Sequence, residues 1–160
     1  MTEPLHRNAA RVVAAGAELG VEVVPKRFPD GTKTAVDAAA AIGCDVAQIV
    51  KSLIFAVDGE VVLAYMSGAN QLDESKLAVA ADGASCARVD AEVVRATTGF
   101  PIGGVPPFGH DTELRVFIDP DLLVHDEVWA AAGTWHDVFA ITPQELLEVS
   151  NGVVAELKRG

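Results

Sequence analysis

Two segments carry residue types that sit badly in ordinary secondary structure and could do chemistry. The first, Thr98-Gly99-Phe100-Pro101-Ile102-Gly103-Gly104-Val105-Pro106-Pro107-Phe108-Gly109-His110, holds four glycines and three prolines, too many interruptions for a helix or a central strand. Glycine admits positive φ and close approach of a ligand to the main chain, while proline lowers the entropy of holding one shape. Such a loop can present preorganised N–H groups to a carbonyl becoming an oxyanion, or to a phosphate or carboxylate. The same composition suits a tight surface turn, and it fits neither the Walker nor the Rossmann fingerprint. The second segment is Ile49-Val50-Lys51-Ser52-Leu53-Ile54-Phe55, where a cation inside an apolar strand is costly unless it meets water or a partner. Strand alternation puts Lys51, Leu53 and Phe55 on one face, so the ammonium is either functional or snorkels to solvent.

Other chemistries lack their residues. His6, His110, His125 and His136 are isolated from one another and from Cys44 and Cys86, so no metal site is expected. None of Ser52, Ser67, Ser75, Ser85 or Ser150 lies in a GxSxG elbow. The two cysteines have no CxxC spacing and are expected to be reduced, packed side chains.

The elements that must position these segments follow from periodicity and caps. Leu5 to Leu19 has apolar residues at helical spacing and Gly20 to end it, and Val21 to Val24 reads as a short strand. Thr34 can cap a helix that includes Ala38 to Ile42 and closes at Gly43. Ile49 to Val57, Asp58-Gly59 and Glu60 to Met66 predict a hairpin, because Asp-Gly is favoured in type I′ turns. Helices over Asp73 to Ala81 and Ala91 to Thr97 flank a strand at Ser85 to Val89. Strands at Leu114 to Ile118, Val128 to Ala132 and Val138 to Ile141 precede a helix opened by Thr142-Pro143. The pattern is mixed α/β, one domain with a mixed, strongly curved sheet and helices packed outside it.

Composition bounds the function. A chain of 160 residues, half of them apolar and 22% charged, suits a single core, expected over the whole of 1–160. Lys51, Asp58 and Glu60 interrupt the most apolar region, so no run approaches the roughly 20 residues of a membrane-spanning helix. The start lacks a basic and apolar leader, and a cytoplasmic location is expected. A net charge of −11 opposes nonspecific contact with DNA or anionic lipid, yet leaves room for a local basic site. Lys26, Arg27, Lys33 and Lys51 lie in the first third, whereas only Arg115, Lys158 and Arg159 are cationic after residue 110. A polyanion should therefore meet the earlier face.

Four stretches, in this order, carry a resemblance: Gln48 to Phe55; Leu72-Asp73-Glu74-Ser75-Lys76-Leu77; Thr98-Gly99-Phe100 through Gly109; and Ala132-Gly133 ahead of Pro143-Gln144-Glu145-Leu146-Leu147. Together they resemble the YbaK/ProX/EbsC family of aminoacyl-tRNA editing domains, which occur alone or inserted in a synthetase. The likeness spans about residues 30 to 155 and is most specific at Lys51 and the glycine loop. It implies a trans-editing deacylase that hydrolyses the ester of a mischarged small amino acid, Cys or Ala in type, on tRNA(Pro). The partners implied are the tRNA acceptor end and, optionally, an aminoacyl-tRNA synthetase; no cofactor is implied. By the same likeness Lys51 anchors the aminoacyl-adenosine, and the Gly103 and Gly104 N–H groups hold the ester carbonyl. Ser52, Thr98, Gly99, Val105, Pro106, Pro107, Gly133 and, more remotely, His136 would surround the substrate. Ser52 keeps a hydroxyl where the family often has Thr, and Pro106 lacks the one that Ser often supplies. The alternative from the residues alone is a noncatalytic nucleotide- or synthetase-binding module of the same fold.

Overall fold

The computed structural model describes residues 5–32 and 34–160; Lys33 and the first four residues, which entered the charge and leader readings, lie outside the described residues. Local signals account for most elements. Helix α1 (Arg7–Glu18) opens with the His6 ring accepting from the Asn8 N–H. In α2 (Ala35–Ile42) the Thr34 hydroxyl accepts from the Asp37 N–H and Gly43 closes the helix at φ 85°. Helices α3 (Glu74–Ala80) and α4 (Ala91–Thr98) are capped by Asp73 and Asp90, and α5 (Pro143–Ser150) by a reciprocal Thr142–Glu145 box.

The hairpin forms as predicted. Strands β2 (Val50–Val57) and β3 (Glu60–Ser67) pair from Val50–Ser67 to Val57–Glu60. Asp58 and Gly59 turn at φ 49° and 88°, the two positive values that a type I′ turn demands. This pair is the centre of a five-stranded sheet ordered β4-β2-β3-β5-β8, with β4 Cys86–Arg88, β5 Arg115–Ile118 and β8 Val153–Val154. The contacts of β5 with β3 and with β8 are parallel. A second, antiparallel sheet runs β1-β7-β6, from Lys26–Arg27, Asp137–Ile141 and Val128–Ala131. The mixed α/β class expected from the sequence is what the chain adopts. Its strands divide between two sheets, linked by a bridge between Ile49 and Trp129.

Val21 to Val24 forms no strand, and the paired segment begins only at Lys26. Val21 and Val23 are buried, so the alternation there records which side chains face the core. A ladder also needs a paired strand, and among the described residues none pairs with these.

The first core lies between the sheets and includes Leu63, Tyr65, Phe100, Phe108, Ile118 and Phe139. A second, beneath α3, holds Phe55, Val62, Met66, Leu77, Phe117 and Leu157. Strand β3 thus feeds odd residues to one core and even residues to the other, which is why Val61 to Met66 is apolar throughout. Strand β2 does the same in opposite phase: Val50 and Ile54 join the first core, and Phe55 and Val57 the second. Leu63 is fully buried, so Leu63→Ala should cost about 2–5 kcal/mol. Urea unfolding followed by circular dichroism checks this as a lowered midpoint with an unchanged slope.

Candidate functional site

Lys51 shares its face of β2 with Leu53 and Phe55, as alternation requires, and is half-buried. Its ammonium donates to the carbonyl of Asn70, in the turn that follows β3. That turn is held from below. The Asn70 amide donates to Asp119 Oδ2 and Asp121 Oδ2, each at 2.8 Å. Asp119, 1% exposed, also accepts from the Ser67 and Asp121 N–H groups at 3.1 and 2.9 Å. Burial pulls the Lys51 pKa below its ordinary value, and the Asp119 carboxylate opposes that fall. Among the described residues no carboxylate lies within ion-pair distance of the ammonium, so its charge is supported without being neutralised by contact.

The glycine-proline loop is fastened by its carbonyls. Ser52 Oγ donates to Val105 O at 2.8 Å, Tyr65 Oη to Pro106 O at 3.2 Å, and Trp135 Nε1 to Ile102 O at 2.5 Å. His110 Nε2 lies 2.7 Å from Pro106 O, and since a carbonyl only accepts, that nitrogen carries the proton. Pro101 to Gly104 closes as a turn, with the Gly104 N–H donating to Pro101 O at 2.9 Å. Gly103 has φ 84° at its third position, where a type II turn requires a positive value.

Gly104 does not present the open N–H expected of it. The Gly104 N–H is spent inside the turn, and Gly104 is buried against the main chain of Gly133 and Thr134, where a Cβ would lie 3.0 Å from each. Gly103 keeps an N–H with no acceptor among the described residues, and it borders the cleft.

That cleft, of about 530 Å³, runs between the start of β2, the loop, α2 and β6. Lys51, Ser52 and Gly103 line it together with Ala35, Ala38, Trp129, Ala130 and Ala131. Thr32 and Thr34 add hydroxyls, and Lys51 is the one charged side chain on its walls among the described residues. The structure therefore brings together three of the residues singled out from the sequence. The others do not line it. Thr98 is fully buried, its hydroxyl donating to Val94 O and accepting from the Phe100 N–H. Gly99 ends α4 beside Arg11 and Asp111. Val105, Pro106 and Pro107 are buried under the loop. Gly133 turns at φ 96° with its carbonyl accepting from Asn8 Nδ2 at 3.0 Å. His136 Nδ1 reaches Phe28 O at 3.1 Å and does not border the cleft.

Two of the cations expected on a basic face are held by neighbours. Arg27 pairs with Asp137, a buried carboxylate, at 2.8 Å, and Lys26 lies over the Trp129 ring at 5.1 Å. Sequence reasoning passed over Thr32, Asn70, Asp119 and the Trp129–Ala131 wall. Their roles arise from contacts with segments far along the chain, and only the Asp119-Pro120 cap signal marks one of them locally.

A family model for the aminoacyl-tRNA editing domain matches residues 29–149. The uncharacterized protein YwhH of Bacillus subtilis is 32% identical over 123 residues, 77% of this chain and 78% of that protein. A proline–tRNA ligase of Maridesulfovibrio salexigens is 33% identical over 107 residues, which are 67% of this chain and 18% of the ligase. Among solved structures, one described as a candidate trans-editing enzyme for prolyl-tRNA synthetase has a TM-score of 0.92 and 43% identity, covering 98% of this chain and 100% of that one.

The clamp on Pro106 has a pH signature. Burial is the main cause that lowers the His110 pKa from its ordinary 6.5, and the bond to Pro106 O partly opposes it. The folded chain thus refuses a proton that the unfolded chain accepts. Stability from this source is complete above about pH 6.5 and is lost as pH falls toward the depressed folded value, by up to about 1.4 kcal/mol per pH unit in that window. His110→Gln keeps a donor that does not titrate. Thermal melts from pH 8 to pH 5 should show the parent losing Tm faster than the variant, and parallel curves would remove His110 from the pH response.

Proposed function

The chain belongs to the aminoacyl-tRNA editing domain family, and from that membership we propose that it is a trans-editing deacylase. Its substrate would be a small, wrongly attached amino acid, Cys or Ala in type, esterified to tRNA(Pro). The observation that carries this reading is that Lys51 and Gly103 both line one cleft otherwise built from apolar and hydroxyl side chains. Walls of alanine with no carboxylate among the described lining residues favour a small uncharged side chain. The choice of tRNA(Pro) draws on the likeness to a segment of proline–tRNA ligase. The activity has a physical motive, since a synthetase pocket rejects a residue one methylene smaller by only about 1–3 kcal/mol, which leaves errors for a second site to hydrolyse.

In this reading water attacks the ester carbonyl, or the substrate's own thiol does so when the amino acid is cysteine. The carbonyl oxygen gains negative charge and is held by the Gly103 N–H. Lys51 anchors the aminoacyl-adenosine through its phosphate or carbonyl oxygen, as a charged group on a flexible stem can. The bond from the acyl carbon to the ribose oxygen breaks, and that oxygen leaves as a hydroxyl, the neighbouring ribose hydroxyl relaying the proton. The partners are the acceptor end of the mischarged tRNA and, where one holds the tRNA, a synthetase. Such work belongs in the cytoplasm.

Purified protein should release Ala or Cys from tRNA(Pro) faster than it releases Ser, Thr or Pro, each measured against spontaneous ester loss. Lys51→Met, which keeps the apolar stem, should lower the rate at least about tenfold, equivalent to about 1.4 kcal/mol of transition-state stabilisation, with Tm nearly unchanged. Rates equal to the parent's would take Lys51 out of the mechanism. No turnover of any charged tRNA would leave the noncatalytic module as the reading.

A further inference from the structure

A second groove, of about 480 Å³, adjoins the cleft and shares Lys51, Ser52, Leu53 and Ile102 with it. It is also lined by Arg88, at the end of β4, and Arg159, near the C-terminal end of the chain. We infer that this groove is a phosphodiester track for the RNA strand that leads away from the terminal adenosine, with Arg88 and Arg159 as its cations. The identity of the strand rests on the deacylase reading; the charge argument does not.

With 23 acidic residues to 12 basic, a cation on this chain can find a carboxylate, and Arg11, Arg27, Lys76, Arg115 and Lys158 each do so within 4 Å. Among the described residues Arg7, Lys26, Lys51, Arg88, Arg95 and Arg159 make no ion pair. Of these, Lys51, Arg88 and Arg159 line this groove, and both arginines are exposed. Arg159 is nonetheless oriented: its Nε donates to Leu72 O at 3.0 Å and its Nη1 to Gln71 Oε1 at 3.2 Å. Both acceptors are neutral, so the guanidinium is aimed and keeps its full charge. The Arg88 side chain makes no hydrogen bond among the described residues and is free to close on a ligand. Among the described residues Glu74 is the one carboxylate lining the groove, against the three cations Lys51, Arg88 and Arg159.

A planar guanidinium matches a phosphate bidentately, and a local positive groove on an acidic molecule concentrates an anion there while the rest of the surface repels it. Continuity through Lys51 supplies the direction. An adenosine whose ester lies beside Gly103 sends its chain out past Lys51, toward the two arginines. The cations needed for a polyanion thus include one from the acid-rich end of the sequence, where the distribution of charge along the chain gave least reason to look.

The test compares aminoacyl-tRNA with 2′(3′)-O-aminoacyl-adenosine, which has no phosphate, using Arg88→Gln and the double variant Arg88→Gln/Arg159→Gln. The ratio of kcat/KM on the tRNA to that on the adenosine ester should fall at least tenfold in the double variant, with KM carrying the change. The dependence of log kcat/KM on log salt should flatten by about 0.7 for each phosphate contact removed. An unchanged ratio overturns the track. Binding of a labelled RNA strand ending in CCA, followed by anisotropy, separates the two readings. A parent that binds the strand but cleaves no ester, with binding lost in the variants, retires the deacylase and keeps the track. Variants that bind as tightly as the parent, or equal displacement by free AMP, which would mark a mononucleotide pocket, overturn it. Arg88→Gln breaks no intramolecular bond, so its loss of binding at unchanged Tm cannot be a folding defect.

Discussion

A half-desolvated ammonium on a central strand is the constraint around which the rest is arranged. Lys51 can sit on β2 because the Asn70 carbonyl accepts a hydrogen bond from its ammonium and Asp119 holds that turn. Asp119 in turn is buried only because three N–H groups converge on it, from Ser67, Asn70 and Asp121. Leaving a buried polar group of this kind unsatisfied costs about 1–3 kcal/mol, and more if it is charged. The turn after β3, the cap of the 3-10 segment at Pro120–Val124 and the lysine therefore form one unit.

The glycine-proline loop obeys the same accounting. Carbonyls of Ile102, Val105 and Pro106 are each taken by a side chain from a different element, and the turn consumes the Gly104 N–H. What remains toward the cleft is the Gly103 main chain. Rigidity here comes from long-range bonds to carbonyls, with proline and glycine making the required shape cheap to hold. Preorganisation of this sort suits a donor that must be in place before charge develops.

Charge is distributed by the same economy. Among the described residues five cations lie within ion-pair distance of carboxylates, and the Arg27–Asp137 pair ties β1 to the first residue of β7. The excess of acid keeps most of the surface repulsive to phosphate, so unpaired cations matter by their position more than by their number.

Much of the fold was legible in the sequence because caps, Asp-Gly turns and side-chain period act within a few residues: the β2–β3 hairpin, the Thr34 and Thr142 helix starts and the Gly43 stop are all local events. The same logic misread Val21 to Val24, where alternation was real but no strand among the described residues pairs with them. It also had no means of pairing β5 with β8 or of dividing the strands between two sheets. For the site, residue type alone drew attention to Lys51 and to the glycine loop, and family resemblance joined them. Tertiary structure decided that Ser52 and Val105, 53 positions apart, are bonded, that Gly103 and not Gly104 retains its donor, and that Arg88 and Arg159 share the groove beside the lysine. Which N–H stays open, and which charges become neighbours, depends on every carbonyl and carboxylate packed nearby, and those arrive from distant parts of the chain only when it folds.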